Sequence, residues 1–262
     1  ANPAAVTDKP AGGRVPAPAD GEREEIWMAC YINGGKIGYT HLIVEPVTEE
    51  GRPGLRWTYE DELKLRRFDA ETVVRTRLTS LESRDGELRS FRSEMNTGPG
   101  TVVTEGRCEG GQLVLRDATQ GKVQQRTLAW DKEYGGFFAD QLSLRRKPMR
   151  PGESRRLRAL LPVINQVGEI RLEAAAFEAT PLAVGTQTLL RINVTTDLGT
   201  AQMKSVVWTD EQGRPHKVKE LQLGMEALLT TQQDSLQPGT GGGFDVEHLP
   251  IIRDCIVASI RR

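Results

Sequence analysis

Histidine, cysteine and aromatic residues are all scarce in this chain. Its three histidines, His41, His216 and His248, lie in separate segments, without the close spacing that sets two imidazoles on one metal ion. Its three cysteines, Cys30, Cys108 and Cys255, form an odd, sparse set. That excludes a disulfide framework, although one pair could form. Cys30 sits beside Ala29 and Tyr31 in an apolar run and reads as a small buried hydrophobe. A Cys30–His41–Asp61 triad can be assembled on paper. A nucleophilic thiol, however, wants a helix N-terminus or a cationic neighbour, and Cys30 has neither nearby in sequence. Cys108, between Arg107 and Glu109, has no obvious base. No run approaches the ~18 apolar residues of a membrane helix. Neither sign of charge dominates: 35 Lys and Arg stand against 36 Asp and Glu, a net charge of −1. Nothing in that balance recruits nucleic acid or an anionic membrane. The glycine clusters precede strand-like runs rather than helices, so no phosphate loop is present. No catalytic residue, metal or cofactor is expected on this chain.

What the sequence does have is a ladder of glycine turns. Asn33-Gly34-Gly35, Asp85-Gly86, Glu109-Gly110-Gly111, Gln120-Gly121 and Gln212-Gly213 each separate runs of β-branched, aromatic or alternating residues. Glycine supplies the positive φ of tight hairpins, and repeated hairpins imply a large antiparallel sheet. The expected fold is mainly β, with long antiparallel strands in one or two strongly curved, half-barrel-like sheets and two short helices. Residues 136–146 read as a helix ending before Pro148, and residues 225–235 as a second. Residues 1–22 are a Pro/Ala/Gly leader without aromatics, which cannot bury enough surface to order itself. It resembles what remains after a signal peptide is removed. Residues 23–236 form the β-rich domain, with a junction between two similar halves near 131–155. Residues 237–243 are a Gly-rich linker. Residues 244–262 form an apolar segment, with Ile251, Ile252, Ile256, Val257 and Ile260 placed to cover a partner or an adjoining strand.

Two features invite a binding reading. Arg145, Arg146, Lys147, Arg150, Arg155, Arg156 and Arg158 put seven cations in fourteen residues. No aromatic residue interleaves them, as single-stranded nucleic acid would require. A solvated face, or pairing with Glu60, Asp61 and Glu62 on a neighbouring strand, is the expectation. The aromatics Trp27, Tyr31, Tyr39, Trp57 and Tyr59 could line an apolar groove on a curved sheet that helices do not cover. An apolar small molecule is the ligand such a groove would take.

The order of several motifs carries a resemblance. Residues 27–41, WMACYINGGKIGYTH, fit a W-x-x-x-Y-x-x-G-x-K-x-G-Y-x-H opening. It is followed by Leu88-Arg89-Ser90-Phe91-Arg92-Ser93-Glu94-Met95, Pro151-Gly152-Glu153, Val207-Trp208-Thr209-Asp210-Glu211-Gln212-Gly213-Arg214 and Leu249-Pro250-Ile251-Ile252-Arg253-Asp254-Cys255-Ile256. This succession resembles the N-terminal region of exported bacterial transglutaminase-like proteins of the planctomycete type, over residues 25–262. The resemblance implies a non-catalytic, exported, periplasmic or cell-envelope module. It would bind or scaffold for a protein partner or for a catalytic domain following in the same chain. No position matches that family's catalytic cysteine motif. The alternative is a free-standing envelope carrier that holds a lipid or another apolar ligand in a concave sheet.

Overall fold

Alternation builds the first strand. In Glu24–Ile32 (β1), Ile26, Met28, Cys30 and Ile32 are buried and face inward, as period-2 patterning requires. The structure, a computed structural model, describes residues 22–67, 70–97, 100–162, 164–199 and 201–239 and the backbone of 244–245. Seven more strands follow β1 in the first half: β2 (Gly35–Glu49), β3 (Arg52–Arg67), β4 (Ala70–Ser83), β5 (Leu88–Asn96), β6 (Thr101–Glu109), β7 (Gln112–Thr119) and β8 (Lys122–Ala129). Helix α1 (Ala139–Arg146) comes next. Then come β9 (Ser154–Leu161), β10 (Gln166–Pro181), β11 (Thr186–Asp197), β12 (Gln202–Thr209), β13 (Pro215–Glu220) and β14 (Met225–Thr230), helix α2 (Gln232–Leu236) and the short β15 (Phe244–Asp245).

β1–β8 form one antiparallel meander and β9–β14 another, and they join where β1 pairs with β14. The result is one large, curled sheet with β8 and β9 at its two ends; β15 pairs with β3 off this path. The sheet does not close on itself. The connector between the meanders ties β9 to the residue before β5: Gly135 bridges to both Glu87 and Ala159. The Arg126 guanidinium on β8 also reaches the Asn165 carbonyl beside β10, at 3.2 Å. The mainly β expectation, with curved antiparallel strands and two short helices, is what the chain adopts.

Glycine hairpins set the register. Asn33-Gly34 and Gln120-Gly121 have φ values of 49° and 78°, and 48° and 79°, the all-positive pair of the tight turn that matches strand twist. A third turn of this kind, Glu50-Gly51, joins β2 to β3. The sequence conceals it because Pro46 and Pro53 read as breakers. In a two-residue hairpin closed by Glu49 and Arg52, the amide positions of 46 and 53 face away from the β2–β3 ladder. On those sides β1 and β4 have already ended, at the levels of Val44 and Gly54. Neither proline therefore deprives a neighbour of a hydrogen bond.

The inside of the curl is filled by the chain itself. Phe137, Phe138 and Leu142, from the connector and α1, pack with Trp57, Phe91, Leu113, Leu115 and the inner face of β1 in one core. Leu144 and Met149 pack with Ala159, Leu172, Leu190 and Ile192 in a second. α1 ends in Arg145 and Arg146, cations that suit the negative end of a helix. Arg155 donates to the Ser143 and Lys147 carbonyls, each at 2.8 Å, satisfying the last turn.

Two local expectations need correction. Residues 225–230 are strand β14, not helix, and only 232–236 turn helically. The Met-Glu-Ala-Leu-Leu stretch has good helix propensity, but the vacancy between β1 and β13 decides its state. The basic run is largely the expected solvated face, with Arg146, Lys147, Arg150, Arg156 and Arg158 exposed, but it does not pair with Glu60, Asp61 or Glu62. Arg145 bonds to Glu24, Arg146 lies 3.7 Å from Asp85, and Arg158 lies over the Tyr134 ring. Glu60 and Glu62 answer Arg77 and Arg75 on β4 instead. The leader through residue 21, residues 240–243, and the segment from 246 on with His248 and Cys255 lie outside the described residues.

Candidate functional site

The five aromatics named from the sequence divide between the two faces of the sheet. Trp57 is fully buried and stacks on Phe138, and Tyr59 on the same inner row packs against that core. Trp27 and Tyr39 lie on the outer face, their ring centroids 5.7 Å apart. Tyr31 follows Trp27 at even spacing on β1, opposite Lys36 across a bulge. The strand period sends alternate side chains to opposite faces, so these five residues do not line one groove.

Trp27 has a specific partner that the sequence does not announce. The His41 ring stacks beneath it, centroids 3.6 Å apart. His41 Nε2 lies 2.8 Å from Glu25 Oε1 and Nδ1 lies 3.7 Å from Glu60. The ladder continues outward across the strands. Arg77 faces Glu60 at 3.4 Å, Arg92 faces Glu94 at 3.6 Å and bonds to Glu105, and Arg116 lies 3.8 Å from Glu105. Alternating charge therefore crosses the outer face from β1 to β7, while apolar side chains fill the inside. This is the reverse of the apolar-out, polar-in alternation of a membrane-spanning barrel.

An open groove of about 510 Å³ lies on that outer face. Leu81, Gly106 and Val114 form its floor, and Arg56, Arg92, Arg107 and Arg116 stand along it with Glu49, Glu105 and Glu109. Gly106 shapes the sheet here. A Cβ at that position would sit 2.0 Å from the Phe91 ring, which fills the space on the inner side. Nothing local in the sequence sets these arginines apart. They stand in separate strands, and only the pairing register brings them together.

The interior also holds carboxyls. Glu82 is fully buried, and its Oε1 accepts a 2.9 Å bond from Ser80 Oγ. Gly136 lies so close that a Cβ there would meet Glu82 Oε1 at 2.0 Å. Burial pushes the Glu82 carboxyl up to about 7, against the lowering effect of the Ser80 bond and of Arg146. Burial likewise raises Asp61 to about 6, opposed by bonds from Tyr59 and Thr76. Glu220 rises to about 7 through burial and the charge of Asp140. Cys30 lies among them with its thiol pushed up to about 12, first by burial and then by Asp61. Cys30 and Asp61 face inward and His41 faces outward, so that triad does not assemble. Among the described residues, no three His, Cys, Asp or Glu side chains are grouped to hold a metal ion, and no helix is long and apolar enough to cross a membrane.

No protein-family profile matches the chain, and no curated protein matches its sequence. Its fold does have solved relatives. The crystal structure of a β-barrel-like protein of the domain of unknown function DUF1849 from Brucella abortus aligns with a TM-score of 0.54 and 10% identity. The alignment covers 79% of this chain and 95% of that one. At this identity the likeness is one of fold. A DUF1089 family protein from Pseudomonas aeruginosa aligns over 79% of this chain and 94% of its own, with 14% identity and a TM-score of 0.37, too low to carry an argument.

Proposed function

We propose that this chain is a non-catalytic binding or scaffolding module, the accessory region of an exported transglutaminase-like protein. One observation carries the binding half of this reading. The space inside the curled sheet, where a carrier would hold an apolar ligand, is occupied by Phe137, Phe138 and Leu142, and the open groove is on the outside. A rigid, self-filled scaffold that presents strands and charge outward suits a protein partner better than a lipid. The transglutaminase link and the exported location rest on the motif order from Trp27 to Ile256.

Sequencing the gene beyond the Arg262 codon tests the reading. An open frame leading into a domain with a Cys-His-Asp triad is the expected result, and a stop codon directly after Arg262 overturns the accessory role. Native mass spectrometry of the purified chain tests the other half. The expected mass is that of the polypeptide alone. A co-purifying lipid would establish the carrier alternative instead.

A further inference from the structure

β8 is an open sheet end whose hydrogen-bonding groups can be assigned. Its hairpin with β7 turns on Gln120-Gly121, with Thr119 opposite Lys122. At the other end, the Trp130 N–H donates to the Gly111 carbonyl at 2.9 Å. Both contacts turn the even-numbered residues of β8 toward β7. The N–H and C=O groups of Val123, Gln125, Thr127 and Ala129 therefore point away from the sheet, and no backbone group among the described residues pairs with them. The opposite end is treated differently. On β9, Gly135 donates to the Arg158 carbonyl and accepts from the Leu160 N–H. Proteins usually blunt an open edge with proline, a bulge or an inward charge at mid-strand. β8 has no proline, and its pairing with β7 shows no register shift; its inward charge, Arg126, is neutralised by Asp117 on β7. Val123 on it is 52% exposed.

On the two strands nearest this edge the outward chemistry lacks acid. The outer faces of β7 and β8 present Val114, Arg116 and Ala118, and Val123, Gln125 and Thr127, with no carboxylate among them. The groove described above ends at Gln125, where its charge is mixed: Arg92 and Arg116 are answered by Glu105 and Arg107 by Glu109. Arg116 is the cation nearest the edge, on the row facing Gln125. β8 carries Lys122 and Arg126 and no acid. Arg126 is held by Asp117 at 3.2 Å, whereas Lys122 forms no ion pair with any described residue. A strand added to β8 would lie about 5 Å from it and about 10 Å from β7, a distance that a Glu and an Arg side chain bridge together.

We propose that the β8 edge is a docking site for an extended acidic segment of a partner protein, added as a further strand of the sheet. Backbone bonds to Val123, Gln125 and Thr127 would supply binding. Carboxylates at the segment's outward positions, facing Arg116, would supply selectivity. This rests on the chain being a protein-binding module, but not on its partner being a catalytic domain, so the gene sequence beyond Arg262 leaves it untouched.

The test uses the full chain and two synthetic peptides, one alternating Glu with Val and one alternating Lys with Val. Binding of the Glu peptide should slow amide exchange at Val123, Gln125 and Thr127 about tenfold or more, with little change at the even residues. The Glu peptide should bind about tenfold more tightly than the Lys peptide at low salt, and the difference should shrink near 0.5 M salt. Gln125→Pro removes one outward N–H at a position where an edge strand tolerates proline; it should abolish binding. Arg116→Glu leaves every backbone bond in place and should reverse the preference toward the Lys peptide. Equal affinity for the two peptides, or binding that survives Gln125→Pro in folded protein, overturns the proposal. So does concentration-dependent self-association that Gln125→Pro removes, which would assign the edge to a second copy of this chain.

Discussion

The ring of Phe138 lies flat on the indole of Trp57, their centroids 5.0 Å apart and their planes 12° from parallel. Beside them Phe137 meets Phe91 edge to face at 4.7 Å, the offset and edge geometries that aromatic quadrupoles favour. Trp57 and Phe91 belong to the first meander, and both phenylalanines belong to the connector that leads to the second. The connector is thus a central part of the core, and the meanders share an interior through it.

That arrangement makes Phe138→Ala a sharp test. Losing a buried aromatic ring from a packed core costs about 3–5 kcal/mol, to be read as a drop in the urea or thermal midpoint. The hole left against Trp57 would be apolar and dry. A small aromatic probe such as benzene should therefore raise the melting temperature of the variant and leave the wild type unmoved. A wild-type response of equal size would mean that the interior is already open to ligands.

The hairpins and the overall class were legible in the sequence because both are local. An Asn-Gly or Gln-Gly pair between alternating runs needs no distant information. The segment that fills the curl was legible only as a short helix near 136–146. Nothing local says that Phe137 and Phe138 enter the curl of a sheet whose strands come from both sides of them. The aromatic groove failed for a simpler reason. Trp27, Tyr31 and Tyr39 share one face of their strands and Trp57 and Tyr59 share the other, and that phase depends on the register with β1 and on a bulge at Cys30/Tyr31. The arginine groove and the Trp27–His41 stack are likewise products of register.

The buried Glu82 and the half-buried Asp61 and Glu220 give stability a direction with pH. Glu82 and Glu220 rise from 4.5 to about 7 and Asp61 from 3.8 to about 6. Each binds its proton more tightly in the folded chain than in the unfolded one. Their contribution is therefore complete below about pH 4 and is lost as pH rises through the folded values near 6–7. The urea midpoint should be higher at pH 5 than at pH 8. Glu82→Gln keeps an acceptor for Ser80 and removes the buried charge. It should stabilise the chain at pH 8 by up to about 3 kcal/mol and flatten the slope between pH 4.5 and 7. A variant no more stable than wild type at pH 8 would show that Glu82 is not a proton-holding site.

Gly213 pins the β12–β13 turn to α1. Its φ is +73°, and a Cβ there would sit 2.2 Å from the Leu144 carbonyl oxygen, so both conformation and space demand glycine. Gly121, with φ +79° and nothing within 4 Å, has only the conformational demand. Gly121→Ala should cost about 1 kcal/mol. Gly213→Ala should cost clearly more, roughly 2–4 kcal/mol, and should increase amide exchange in α1. Equal costs at the two sites would mean that the turn does not bear on the helix.

Cys30 should behave as packing, not as chemistry. It is fully buried, and its thiol is pushed up to about 12 by burial and by the nearby Asp61. Because only the thiolate attacks an electrophile, the folded chain holds almost none of the reactive form at pH 8. Iodoacetamide labelling followed by peptide mass mapping should leave Cys30 unmodified in native buffer and modify it fully in about 6 M guanidinium chloride, where cores unfold. Cys30→Ala should cost about 1 kcal/mol through the small cavity it leaves, and Cys30→Ser about 1–3 kcal/mol through an unpaired buried hydroxyl. Rapid native labelling at Cys30 would place an activating cation or base beside it, and the inner face of β1 would then have to be reconsidered as a reactive site.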